Sequence, residues 1–388
     1  MIAPTPPRFT IDGDDALEAH LARTCDRVLS GIRGLIPAAR LEAVLLGGGY
    51  GRGEGGVLRG ATDDRPYNDL EFYVLLRGNR HVNEFRYHRR LEVLGEILTP
   101  LADVEIEFKI TSVAELAARP ASMFSYDLFA GHRTLWADAA AHGLPGCDHH
   151  RDPAQIPASE ATRLLMNRCS GLLFAHARLE TEPFTLAAAD FVRRNLAKVQ
   201  LACGDAVLTA HGRYNWSCRT RHTRLAQLAA AETDSRLDPV LHHHTAGVAF
   251  KLHPNSGGLA RESLRALYTE VTALARDTWL ALETRRLGRA FPTVRAYAED
   301  RGDQSPDTSP LHNFALNFRA AGFRFHTRPS PWRHPRQRIF RALALLLWEP
   351  AALTDPALRA LLETDLQARI SAPAEALAAY RALWSRVR

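Results

Sequence analysis

Lysine is nearly absent. Only Lys109, Lys198 and Lys251 occur in 388 residues, and arginine carries the rest of a net charge of +6. A basic balance suits a polyanionic partner, whether nucleotide or nucleic acid. Abundant arginine and alanine are equally the product of a GC-rich genome, so charge alone does not establish nucleic-acid binding. Cysteine is scarce too. Cys25, Cys147, Cys169, Cys203 and Cys218 are odd in number, scattered and without a C-x-x-C pair, which excludes a disulfide framework and a zinc knuckle. No run of about 20 apolar residues exists, so no transmembrane helix is expected. The opening MIAPTPPRFTIDGDD lacks a basic segment followed by an apolar one, so no secretory signal is expected and the location expected is cytoplasmic. There is no internal repeat and no low-complexity tract.

Apolar residues make up 46% of the chain, ordinary for a globular protein and, at this length, enough for two cores. The first part alternates strand and helix. Residues 14–34 read as an amphipathic helix, 41–47 and 69–76 as apolar strands, and 82–98 as a helix. In 103–110, Val104, Ile106 and Phe108 alternate with Glu105, Glu107 and Lys109, the period of a strand. Residues 112–118 and 122–130 read as helices and 133–137 as an edge strand. From about residue 157 the strand signal stops. Helices are expected over 158–180, 186–212 and 262–287, with two more between 338 and 387. In the second of these, Val192, Leu196, Val199, Cys203 and Val207 form one stripe and leave Arg193, Arg194 and Lys198 on other faces. Residues 300–337 read as a long irregular loop. The expected fold is therefore α+β: a mixed sheet flanked by helices over 1–150, then an all-helical domain over 151–388, with the seam near 144–157.

The chemistry gathers at 45-LLGGGYGRGEGGVLRG-60 and 67-YNDLEFYVLL-76. Gly51, Gly53 and Gly56 satisfy G-x-G-x-x-G, but a dinucleotide fold needs a helix opening at once after the third glycine. VLRGATDDRPYN, with a glycine, two aspartates and a proline, does not supply one. A kinase loop is excluded because no Val-Ala-Ile-Lys, His-Arg-Asp or Asp-Phe-Gly follows. A P-loop is excluded because Gly-Lys-Ser/Thr is absent.

Order and spacing together fit a third reading. Strand, Gly48-Gly49, a short basic turn, an interval, then Asp69-Leu70-Glu71-Phe72 resembles the DNA polymerase beta-like nucleotidyltransferase superfamily. Gly48 to Glu54 tracks the Gly-Ser-x-Ala-x-Gly-Glu turn of many members, and the resemblance covers roughly residues 35–140. Gly49 stands where the usual serine would be, and the interval to Asp69 is longer than in small members. The resemblance implies a sheet of the nucleotidyltransferase type and transfer of a nucleoside monophosphate from an NTP, ATP in the first instance, to a hydroxyl of a small molecule, protein or tRNA. No DNA and no membrane partner is expected. It also implies two Mg²⁺ ions held by carboxylates.

On a strand, residues i and i+2 share a face, so Asp69 and Glu71 project together. In the superfamily a third carboxylate from a neighbouring strand completes the metal site; Glu107 and Glu105 are the candidates, with a lean to Glu107. Gly48 and Gly49 let the backbone approach phosphates, Arg52 would add a cation, and Lys198 resembles the basic residue lent by the helical domain. The cluster His242-His243-His244 is not read as a metal site, because three consecutive residues cannot face one ion; His149-His150 is read the same way. Trp332, Arg333, Arg336 and Arg338 are candidates for an anionic substrate or for a solvated linker. The rival to an enzyme is a non-catalytic nucleotide-binding or partner-binding protein that keeps the fold, of the toxin–antitoxin type.

Overall fold

The computed structural model describes residues 8–255, 259–321 and 330–387. The chain is mixed α+β and forms two compact units. The first comprises residues up to Pro157 together with 211–234 and 245–257, and the second comprises 158–210, 235–244 and the remainder. The sequence suggests one cut; two later segments instead return to the first unit. Among the described residues no helix is long and apolar enough to cross a membrane.

The first unit opens with α1 (Asp15–Leu35), whose N-cap Asp14 accepts a hydrogen bond from the Leu17 N–H. Its stripe of Leu17, Leu21, Val28 and Ile32 is fully buried. There follow β1 (Leu41–Leu46), α2 (Gly48–Gly51), β2 (Val57–Leu58), β3 (Arg65–Pro66), β4 (Leu70–Leu76), α3 (Arg80–Ala102), β5 (Ile106–Thr111), α4 (Val113–Ala118), α5 (Met123–Ala130) and β6 (Arg133–Ala137). The four-stranded sheet has the order β5-β4-β1-β6, with β4 and β5 parallel and the other neighbours antiparallel. The interval between the glycine turn and Asp69 folds as the β2–β3 ribbon.

Both central strands are buried on two faces, which is why they read as unbroken apolar runs rather than alternating ones. One face, with Val44, Leu46, Phe72, Val74 and Ile106, packs against α1 and against Tyr87, Leu91 and Leu98 of α3. The other, with Ala43, Leu45, Tyr73 and Leu75, packs against Val113, Leu116, Leu128 and Phe129. Helix α3 comes very close to β5 at Gly95, where a Cβ would lie 2.8 Å from the Ile106 carbonyl oxygen. Only a glycine fits there. The sheet unit also takes α8 (Cys218–Ala231), a helix not expected from the sequence, because its mean hydropathy is low and its capping serine, Ser217, is its clearest signal.

The second unit is all-helical: α6 (Ala158–Leu179), α7 (Leu186–Ala210), α10 (Arg261–Leu287), α11 (Val294–Glu299), α12 (Pro310–Ala321), α13 (Arg336–Trp348), α14 (Pro356–Leu366) and α15 (Pro373–Val387). Helix α9 (Leu237–Leu252) contributes its residues up to His244 here and the rest to the first unit. The expected stripe of α7 is buried at Val192, Leu196, Val199 and Cys203, while Lys198 is exposed. Residues 300–337 are not a bare loop. Helix α12 occupies 310–321, with Asn313 and Asn317 donating to the carbonyls of Trp332, Pro331 and Arg333. Residues 322–329 of that segment lie outside the described residues. Between 338 and 387 there are three helices where two were expected, because Asp355 and Pro356 start a new one.

Candidate functional site

Strand directions bring the motif together. Because β1 and β4 are antiparallel, the end of β1 lies beside the start of β4, with Leu46 opposite Phe72. The Gly47 N–H donates to the Glu71 carbonyl at 2.9 Å, tying the glycine turn to the acidic strand. Because β5 runs parallel to β4, its start reaches the same end of the sheet, with Leu70 opposite Ile106 and Glu71 opposite Glu107. Parallel strands in register share their faces, so Asp69, Glu71, Glu105, Glu107 and Lys109 all project to one side. Leu70, Phe72 and Ile106 anchor the other side in the core.

The glycine turn closes through Gly51 N–H to Gly47 C=O at 3.0 Å and Glu54 N–H to Gly49 C=O at 2.9 Å. As in the first turn of any helix, the N–H groups of Gly48 and Gly49 are not used within it. Gly48 is in the left-handed region, φ +62, and a Cβ there would lie 3.2 Å from Oε1 of Glu71. Backbone and carboxylate therefore meet with no side chain between them.

Lys109 occupies the centre of the acidic face. Its Nζ donates to Oε2 of Glu71 at 2.7 Å and lies 3.7 Å from Oε2 of Glu107. The Tyr73 hydroxyl donates to the same Glu71 oxygen at 3.0 Å. Burial alone would raise the Glu71 carboxyl, but the Lys109 charge and these hydrogen bonds outweigh it and hold the group below its ordinary value. Glu107 is pushed the other way, by partial burial first and then by the charge of Asp69, with Lys109 only partly compensating. Glu107 is thus the carboxylate that feels both Asp69 and Glu71, while Glu105 is exposed.

The oxygen donors of Asp69, Glu71 and Glu107 have the chemistry a hard divalent cation needs. As arranged, however, no group of three or more His, Cys, Asp or Glu residues among those described is set to hold a metal. The Lys109 ammonium lies between Glu71 and Glu107 in this arrangement.

The two expected cations lie in different units. Arg52 is turned to Asp127, 3.2 Å away, with its side chain largely buried, so its charge is already partly offset. Its Nε is buried without an acceptor. Lys198 is an exposed residue of the second unit. Lys251 was not singled out from the sequence, yet it belongs to the sheet unit and its carbonyl approaches Gly56. Burial, then the neighbouring Arg52 charge, lowers its ammonium to about 8. Rarity was the available signal: two of only three lysines in the chain stand around this turn. Glu54, buried behind it, accepts the Ser217 hydroxyl at 2.6 Å and the Cys218 N–H at 2.8 Å.

The histidine clusters are structural. His244 is fully buried beside Asp205 at 3.3 Å, His243 is hydrogen-bonded to Gln200, and His150 stacks on Phe129 and bonds the Leu116 carbonyl. No protein-family model matches the chain, and neither a curated protein nor a solved structure is found to be similar to it.

Proposed function

We propose that the chain is a metal-dependent nucleotidyltransferase that moves a nucleoside monophosphate from an NTP, ATP first, to a hydroxyl of a small molecule, protein or tRNA. What supports this reading is the register that puts Asp69, Glu71 and Glu107 on one face, at the end of the sheet where Gly48 lies against Glu71. Asp69, Glu71 and Glu107 would hold Mg²⁺, which when bound offsets the negative charge of a triphosphate undergoing displacement. Gly48 and Gly49 offer backbone N–H groups to the phosphates, and Lys251 and Arg52 supply positive charge behind the turn. The acceptor oxygen forms its bond to the α-phosphorus, the bond to pyrophosphate breaks, and the hydroxyl proton passes to one of the carboxylates. Localisation in the cytoplasm belongs to the same reading.

One observation favours a second reading. The Lys109–Glu71 pair is internally satisfied, as it would be in a protein that binds a nucleotide or a partner without transferring anything.

Incubating the protein with each labelled NTP, Mg²⁺ and a panel of amino-sugar antibiotics, tRNA and cell lysate separates the two. Label transfer lost in Asp69→Ala/Glu71→Ala supports the enzyme. Saturable ATP binding with no transfer to any acceptor supports the second reading and rejects the first.

A further inference from the structure

Helix α3 is apolar on two sides. Its inner face, Tyr87, Leu91 and Leu98, belongs to the core. On the outside Phe85 is 92% exposed and Ile97 61%, and Val82, Val93 and Leu101 are exposed as well. Phe85, Arg89, Val93, Ile97 and Leu101 recur every four residues and so form one ridge along the helix. An apolar ridge of this length on a helix that already has its core face marks a surface that another surface covers. Next to it runs β5, the edge strand of the sheet. Between α3 and β5 lies a groove of about 650 Å³ lined by Leu91, Glu92, Glu96, Thr99, Ile106 and Phe108, among others.

The charges on this face are sorted along the helix. Arg86, Arg89 and Arg90 fall in its first half, while Arg80 is held off this face by Glu115 of α4 at 2.8 Å. Glu92 and Glu96 fall in its second half, with Asp103 and Glu105 just beyond. The one acidic residue among the arginines, Glu84, is paired with Arg80 at 2.9 Å.

We infer that a second copy of this chain covers the face, with the two α3 helices packed antiparallel about Val93. Only that direction sets the basic half of each helix against the acidic half of the other, at both ends at once; a parallel pairing would oppose like charges. Ridges spaced by four interdigitate at a crossing angle of about −50°. Phe85, His88, Glu92, Glu96 and Thr99 lie on one flank, being three or four residues apart. A twofold axis across the helices places like flank against like flank, so Phe85 of each copy meets the groove of the other and its apolar floor. Arg89 already lies along this surface, 3.4 Å from Glu92 and 3.3 Å from Glu96 of its own helix; in the pair it exchanges these partners for the same residues of the second copy. An extended basic peptide added to the β5 edge is the competing occupant. It fits less well, because the Ile106 N–H of that edge is already donated to Thr99 Oγ1 at 3.1 Å, and such a peptide would leave the Phe85 ridge bare.

The test is the mass of the full chain by sedimentation equilibrium between about 0.1 and 50 µM. A concentration-dependent dimer is expected. Phe85→Glu/Ile97→Glu should weaken it at least about 30-fold with an unchanged circular-dichroism spectrum, since both side chains are exposed in the monomer. Leu186→Glu, on an exposed residue of another helix, should leave it intact. Arg89→Glu and Glu96→Arg should each weaken the dimer, and the two together should restore it. A chain that is monomeric at every concentration overturns the inference, as does a dimer indifferent to Phe85→Glu/Ile97→Glu. Saturable binding of a labelled nona-arginine peptide by the monomer, lost in that variant, assigns the face to a peptide and overturns it equally.

Discussion

The Lys109 ammonium lies 2.7 Å from the Glu71 carboxylate, one strand over and on the same face of the sheet. An ion pair therefore spans the two strands that the proposed chemistry needs to bridge with a divalent cation.

Replacing Lys109 by methionine tests which cation the site prefers. The folded-state value of Glu71 lies below its ordinary 4.5, so the stability it contributes is present above that pH and is lost as the pH falls through the lower folded value. In Lys109→Met this contribution disappears, at a cost of about 1 kcal/mol because the lysine is partly exposed. Mg²⁺ should then raise the melting temperature of the variant more than that of the parent, read by thermal shift with and without the ion. Equal responses would mean that the carboxylates are not a cation site.

Lys251 and Lys198 are expected to behave oppositely. The folded-state value of Lys251 is about 8, against an ordinary 10.5. Between those values the unfolded chain binds more protons, so stability rises with pH across that window, by up to about 3 kcal/mol. Lys251→Met should be more stable than the parent at pH 7 and lack this rise, as followed by denaturant midpoints from pH 7 to 10.5. The same variant should raise the KM for NTP. Lys198→Met, on an exposed residue, should change neither quantity; if it alone raises the KM, the cation assignment made here is wrong.

Two glycines make a matched pair. Gly48→Ala places a Cβ in the left-handed region and 3.2 Å from Glu71 Oε1, and should destabilise the fold by about 1–2 kcal/mol while lowering transfer more than tenfold. Gly34→Ala, inside α1 with nothing within 4 Å, should stabilise by about 0.5–1 kcal/mol and leave transfer alone. Equal melting temperatures for the two variants would contradict the reading of the turn.

How much of this was legible in the sequence follows from which interactions are local. The strands Leu41–Leu46 and Leu70–Leu76 and the helices α1, α3, α6, α7 and α10 announced themselves, because apolar period and capping residues act within one turn or one strand. Placing Asp69, Glu71, Glu105 and Glu107 on one face needed only the period of two. The role of Lys109 was not legible. It shares a face with Glu105 and Glu107 as any partner on a solvated strand would, and only the register of β5 against β4 brings it to Glu71. Lys251 was hidden for the same reason, lying 195 positions beyond Gly56 on a helix whose first half belongs to the other unit. Helix α12 was missed because proline, serine and aspartate on either side resemble a loop, although Leu311, Phe314 and Phe318 mark a helical period.

Glu54 holds Ser217 and Cys218 across more than 160 positions of chain, and it is buried. During synthesis the glycine turn leaves the ribosome long before Ser217 and Cys218, so Glu54 gains these two hydrogen bonds only after the later segment has emerged. A fragment ended at the seam near residue 157 would keep every acidic group of the proposed site and lose both Ser217 and Lys251. The smallest piece worth expressing as an independent sheet unit is thus set by the return of the chain rather than by the end of the sheet.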